Sequence, residues 1–299
     1  VTENYAFNEL YNLNNKKNKI NINDLGYLIG PILNAGGRLG KSNYATELLS
    51  TESSKIVSQR SIQLTKLNNK RKEIETKILN EINFDKIENN NKDVIIYYNS
   101  NINEGMIGII AARLKEFFNK PSIVITTSGN TLKGSARSIF GYNIGSAIKN
   151  ALDANIILSG GGHAMAAGFT LKKINFDNFE KYIFNNFLRS NINNNHTFNY
   201  DAEISSIAFN KDFLNDIKRM GPFGTGNPVP TFFLKDFKVI KTTILNNKHI
   251  FSILKSRIGL SVNCITFNSV NTKIGEYLLN YKKNFNIIGQ INETFWNNK

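Results

Sequence analysis

Residues 159–169 read SGGGHAMAAGF: three consecutive glycines, a histidine, then small residues leading into a strand pattern. Gly160, Gly161 and Gly162 carry no Cβ, so the stretch reads as a loop free to take positive φ and turn its N–H groups onto one anion. His163 adds a donor or a titratable group beside them. A phosphate is the natural guest; the plain alternative is a tight turn whose histidine caps a neighbouring helix. Ser135 and Arg137, in GSARS at the end of a predicted strand, lie two apart and share a face, which aims a hydroxyl and a guanidinium at one anion. A solvent-facing strand end is the competing reading. A third candidate is the turn at residues 30–42, GPILNAGGRLGKS. There Asn34, Gly36, Gly37 and Arg38 combine an amide, two flexible residues and a guanidinium suited to bidentate phosphate binding, set against an ordinary surface ion pair. Arg113, in GIIAARLKEFF, falls on a helix rich in small residues, which allow close packing on a sheet; its charge either reaches a pocket or stays exposed.

Other features carry less. Metal-assisted phosphodiester hydrolysis needs several carboxylates and histidines around one or two cations. Three scattered histidines and no Asp-rich cluster leave no metal ligand set legible in this chain. His249 sits on a predicted strand edge and His196 in a polar linker. Cys264, the only cysteine, lies in an apolar run and reads as a small buried hydrophobe, without a disulfide framework. GPFGTGNPVPTFF (residues 221–233) has the spacing of a phosphate loop, but its prolines remove donors and no helix follows; a rigid interdomain elbow is the better account.

The elements that must position these residues follow from periodicity. At 299 residues and 41% hydrophobic composition the chain has material for two or three domains. Residues 51–83 contain no Gly or Pro and only loose apolar phase among many charges, which predicts one long, largely exposed connecting helix. Residues 92–190 alternate strand and helix patterns and predict a compact α/β domain. NINNNHT (191–197) is a linker. Beyond it, five strand patterns in about a hundred residues predict a small barrel of the OB type, with a β-sandwich as the alternative. A net charge of +14 points to a polyanionic partner, and nucleic acid is the commonest one, although the Asn-, Lys- and Ile-rich runs suit an AT-rich genome that supplies part of the lysine excess. No signal peptide or membrane-length apolar stretch is legible, which favours the cytoplasm. The chain opens on Val1 and stops at Lys299 just past a strand pattern, as a fragment would.

In order along the chain, LNAGGRLG (33–40), GIIAARL (108–114), SARS (135–138), SGGGHAMAAGF (159–169), GPFGTGNPVPTF (221–232) and the strand pair at 249–268 resemble the C-terminal part of the RecJ family of single-stranded-DNA-specific exonucleases, within the DHH phosphoesterase superfamily. The resemblance implies an α/β plus all-β chain. Residues 1–50 would be the end of a DHH domain, 51–83 the connecting helix, 92–190 a DHHA1 domain and 197–299 an OB-fold lacking its last strand. It implies two Mn²⁺ or Mg²⁺ ions on the remainder of the DHH domain, and hydrolysis from a 5′ end that releases mononucleotides in DNA repair and recombination. By itself this chain would then be inactive. Arg38, Ser135 and Arg137, with Asn34, Arg113 and the backbone of Gly160, Gly161 and Gly162, would bind substrate, and His163 would act near the scissile phosphate. Phe232, Phe251 or Phe267 would offer stacking platforms to the strand. Single-stranded DNA is the implied partner, together with a single-stranded-DNA-binding protein or helicase, for a monomer off the membrane. Two alternatives remain open: a non-catalytic nucleic-acid-binding protein with DHHA1 and OB modules, and a DHH-family phosphodiesterase for short oligonucleotides or cyclic dinucleotides.

Overall fold

The structure is a computed structural model that describes residues 4–16, 22–190, 198–224, 226–280 and 284–293. The expected linker at 191–197, with His196, and the last residues of the chain lie outside these. The chain divides into two compact units, Val1–Asn194 and Asn195–Lys299.

The first unit begins with helices: α1 (Tyr5–Leu13), α2 (Ile22–Asp24) running on through a π-turn (Leu25–Ile29) into α3 (Gly30–Arg38), α4 (Asn43–Ser50), the 28-residue α5 (Ser54–Glu81) and α6 (Phe84–Asn89). The expected turn at 30–42 is therefore mostly helix. Pro31 stands at the start of α3, just past the π-turn, and Asn34, Gly36, Gly37 and Arg38 are all helical. Helix α5 is also more than an exposed connector. Val57, Ser61, Leu64, Asn68, Glu75 and Ile78 recur at helical spacing on one buried face. Its first half closes a core with Leu10, Ile29, Ile32 and Leu48, and its last turns join Met106, Ile110 and Leu114 of the next domain.

That domain is a five-stranded sheet in the order β1-β2-β3-β5-β4, built from β1 (Ile95–Tyr98), β2 (Ser122–Ser128), β3 (Thr131–Arg137), β4 (Ser159–His163) and β5 (Ala166–Lys172). Helix α7 (Glu104–Phe118) makes the crossover between the parallel pair β1 and β2; all other pairs are antiparallel. The Asn103 side chain caps α7 by accepting from the Gly105 N–H at 2.8 Å. Alternation divides the sheet into two faces. Ile123, Ile125, Leu132, Ala136, Phe169 and Leu171 pack beneath α8 (Ile144–Asp153) and α9 (Phe176–Arg189), whereas Val124 and Ile95 pack under α7.

The GGGH segment is not a loop. It is the edge strand β4, paired in register with β5, and none of its glycines has positive φ. Two of the three are demanded by packing. A Cβ on Gly160 would lie 2.8 Å from Ile148 and Ile157, and one on Gly162 2.3 Å from the Ala166 carbonyl oxygen.

The second unit contains β6 (Ala202–Glu203), α10 (Lys211–Arg219), β7 (Phe232–Leu245), β8 (His249–Ser256), β9 (Ser261–Thr266), α11 (Lys273–Asn280) and β10 (Phe285–Gly289). Its strands form one sheet, β10-β7-β8-β9, with β6 also on β7, and among the described residues the path does not close. All five expected strands are present. Helix α11 was not expected; it buries Leu278 and packs on β7 and β8. The segment at 221–233 lies inside this unit and feeds β7, so it is not an interdomain elbow. Phe232 is in the core against Phe213, which removes it as a stacking platform.

On β3, Gly134 stands opposite Phe169, and a Cβ there would lie 2.1 Å from the ring. Gly134→Ala should destabilise the first unit by about 1–3 kcal/mol through overpacking, read as a lower midpoint in denaturant, with Gly161→Ala on β4 as a comparison that meets no such wall.

Candidate anion-binding site

Register places the residues of interest on one face. Directly opposed residues of antiparallel strands project to the same side, so β3, β5 and β4 present three rows of three: Lys133–Thr170–Ser159, Ser135–Gly168–Gly161 and Arg137–Ala166–His163. This is the face that α7 covers over β2 and β3. Over β5 and β4 it is open, with Gly161, Gly168 and His163 exposed. A Cβ on Gly161 would meet nothing within 4 Å, and one on Gly168 only the Gly134 carbonyl oxygen at 3.8 Å. The result is a floor of bare backbone, walled on the β3 side by Ser135, Arg137 and α7, with His163 at one corner about 10 Å, two strand spacings, from Arg137.

Helix α7 has glycines where this wall must come close. Gly108 faces β3, and a Cβ there would lie 3.0 Å from Arg137 Nη2 and 3.2 Å from Ser135 Oγ. Gly105 faces the end of α3, and a Cβ there would lie 2.1 Å from the Arg38 carbonyl oxygen. Arg137 folds back along its own strand, donating from Nη1 to Ser135 Oγ at 3.1 Å and to the Ala136 carbonyl at 2.8 Å. Arg38 donates from Nη1 to the Gly105 carbonyl at 3.2 Å. Asn34 is exposed one turn earlier on α3, on the same side of the helix as Arg38.

The two guanidiniums are partly desolvated and close together. Burial, and then the charge of Arg38, hold Arg137 below its ordinary value. Burial and then Arg71 do the same to Arg38, with Glu75 opposing. Among the described residues neither forms an ion pair with a carboxylate. Behind them, the buried Glu75 of α5 accepts from Arg71 Nη1 at 2.8 Å and from Arg113 Nε at 2.7 Å, and Arg113 also reaches Glu116 at 3.0 Å. Burial alone would lower the Arg113 guanidinium, but Glu75 and Glu116 raise it. Four arginines against two carboxylates leave a surplus of positive charge, and the hydrogen bonds locate it on Arg38 and Arg137. Arg113 is therefore paired with two carboxylates, unlike Arg38 and Arg137.

The structure thus brings Arg38, Ser135 and Arg137 together with the glycine floor and His163, and it pairs Arg113 with Glu75 and Glu116 behind them. It adds Gly105, Gly108 and Glu75. The signal for Glu75 was its place four residues after Arg71 on one helix face; nothing local said that the face was buried.

On the second unit, His249, Phe251 and Ile253 of β8 share a face with Thr243 and Lys241 of β7 and Ile265 and Asn263 of β9. Phe267 is exposed and meets the His249 ring edge-on at 5.4 Å, while His249 Nδ1 accepts from the Asn268 N–H at 2.9 Å. This is an aromatic and basic sheet face.

Fold and site define an α/β module with a glycine-floored sheet face beside two half-buried arginines, followed by an OB-type sheet. Comparison agrees: residues 91–188 match the DHHA1 domain and residues 200–299 the RecJ OB domain. Curated relatives are the single-stranded-DNA-specific exonucleases RecJ of Haemophilus influenzae (32% identical, 84% of this chain, 46% of the relative) and of Bacillus subtilis (26%, 92% and 35%). The crystal structure of RecJ in complex with Mn²⁺ from Thermus thermophilus superposes with a TM-score of 0.80 at 21% identity, over 100% of this chain and 42% of that one. The chain belongs to the RecJ family. It spans less than half the length of these relatives.

Replacing Gly108 by Ala separates binding from stability. Relief of a helical glycine favours α7 by up to about 1 kcal/mol, while the new methyl pushes against the Arg137 guanidinium. Unfolding temperature should hold or rise and affinity for 5′-phosphorylated single-stranded DNA should fall, measured by thermal melts and fluorescence anisotropy.

Proposed function

We propose that this chain is the strand-holding part of a RecJ-type exonuclease that degrades single-stranded DNA from the 5′ end, releasing mononucleotides in the cytoplasm during repair and recombination. The observation that supports it most directly is the pair of half-buried arginines without carboxylate partners, set beside a floor of bare glycine backbone. Such a site gains most from an anion that approaches closely, and a DNA phosphate is one. In this reading Arg38 and Arg137 hold a phosphate, with Ser135 and Asn34 as polar neighbours. Of the three glycines of β4, Gly161, with Gly168 opposite it, keeps room for the strand while Gly160 and Gly162 hold the strand in place, and His163 stands beside the scissile phosphate. The sheet face carrying Phe251, Phe267 and Lys241 stacks and tracks bases further along.

Solved relatives were described with Mn²⁺ and with Mg²⁺. Among the described residues of this chain, no group of three or more His, Cys, Asp or Glu is arranged to hold such an ion. The reading therefore gives the described residues of this chain the substrate rather than the ion. Among the same residues no helix is long and apolar enough to cross a membrane.

Manganese-dependent degradation of 5′-labelled single-stranded DNA, with duplex DNA alongside, tests the activity on the product of the whole gene. Loss of label from single strands alone is expected; equal attack on both substrates, or on neither, would sink the reading. In the same protein Arg137→Ala should weaken single-strand binding about tenfold or more and reduce the slope of log affinity against log salt by about one, with little change in melting temperature.

A further inference from the structure

The function proposed above fixes two points of a bound strand and leaves the base of its first nucleotide without a place. With the 5′ phosphate on Arg38 and Arg137 and the next phosphate beside His163, the first sugar spans the glycine floor of β5 and β4. Its base then has to leave sideways from the line joining the two phosphates. On one side the sheet stops, since Arg137, Ala166 and His163 form its last row. On the other the face continues. Lys133, Thr170 and Ser159 form the row next to Ser135, Gly168 and Gly161, about 7 Å further along the strands.

That end is a cleft of about 350 Å³, lined by Lys133, Thr170 and Ser159 together with Glu104 and Ile107 of α7, and floored by Gly168. Its volume falls at the low end of small-ligand sites, ~300–1,000 Å³, which is room for one nucleobase. Gly160 and Phe169 line it as well. A Cβ on Gly160 would point at Ile148 and Ile157, and the Phe169 ring lies in that same core, so what both offer here is backbone. A flat group can lie against these peptide planes with Ile107 at its side.

The charges of the cleft cancel. Lys133 Nζ donates to Glu104 Oε2 at 2.6 Å, whereas Arg38 and Arg137 have no carboxylate partner among the described residues. This end therefore suits an uncharged guest better than a second anion. Its lining is also chemically mixed: an ammonium donates, a carboxylate accepts, and the hydroxyls of Thr170 and Ser159 do either. The four bases differ in the order of donors and acceptors along their edges, so a lining that holds both kinds can meet each base without selecting one.

We propose that this cleft takes the base of the 5′-terminal nucleotide, whichever base it is, and thereby sets the register in which the first phosphodiester reaches His163. The proposal rests on the reading of the arginine pair as the site of the 5′ phosphate.

Fluorescence anisotropy of the 299-residue chain without divalent ions tests it, using 5′-phosphorylated oligothymidylate labelled at its 3′ end and the same strand with an abasic tetrahydrofuran residue at the first position. The abasic strand should bind several-fold more weakly. Thr170→Phe fills the cleft from a strand position that suits an aromatic residue; it should weaken the intact strand to the level of the abasic one and leave the abasic one unchanged. Ser159→Leu, at an exposed position of the edge strand, should do the same. Equal affinity of the unaltered chain for the two strands overturns the base cleft, as does equal weakening of both strands by the two cleft variants. Arg137→Ala distinguishes the levels. If it weakens both strands while the abasic residue costs the unaltered chain nothing, only the cleft falls; if it leaves both strands unchanged, the arginine reading falls and the cleft with it.

Discussion

Two like charges held side by side, partly out of water and with no carboxylate between them, set the terms for the first unit. Desolvation and mutual repulsion both oppose the arrangement of Arg38 and Arg137. It persists because the elements carrying the two arginines are fixed by cores on either side. Helix α7 is pinned to β2 and β3 through Met106, Ile110, Leu114 and Val124, and α3 to α5 through Ile32 and Leu64. The compensation is local and incomplete. Each guanidinium spends one or two donors on carbonyl or hydroxyl oxygens, while Glu75 spends its charge on Arg71 and Arg113. Fixed donors with unspent charge are what a phosphate-binding site requires, since little has to reorganise when the anion arrives.

Glycine serves the site in two opposite ways. At Gly105, Gly134, Gly160 and Gly162 a side chain would strike something, so these residues let helix, sheet and aromatic ring approach more closely than alanine permits. At Gly161 and Gly168 a side chain would strike nothing or very little, and its absence keeps the floor low and open. The two kinds alternate along β4 because successive residues of a strand face opposite sides. A run of three glycines therefore reads as one flexible loop by composition and resolves into two structural demands and one vacancy.

Much of this was legible in the residues. The strand and helix order of 92–190 apart from the edge strand β4, all five strands of the second unit, and Ser135 with Arg137 on one face follow from period and spacing alone. What could not be read was the partner of each charge. Arg38 and Arg113 look alike in the sequence, each beside small residues; one has no carboxylate partner among the described residues and the other pairs with Glu75, because α5 brings that carboxylate to Arg113 across 38 positions. The stretch 30–42 reads as a turn by composition, since its glycines suggest flexible hinges. Gly30, Gly36 and Gly37 are helical, and Gly36 serves close packing, since a Cβ there would lie 2.5 Å from the Lys41 carbonyl oxygen.

The sequence by itself determined the periods, and with them the elements, the net positive charge and the choice of residue at each strand position. Local sterics and alternation act within a few residues, so they can be read locally. The tertiary structure decided which faces are covered and which charges are spent. Helix α7 shields the β3 side of the sheet face and leaves β5 and β4 bare, and α5 delivers Glu75 to two arginines out of four. Both outcomes depend on contacts between residues tens of positions apart, which spacing along the chain does not encode.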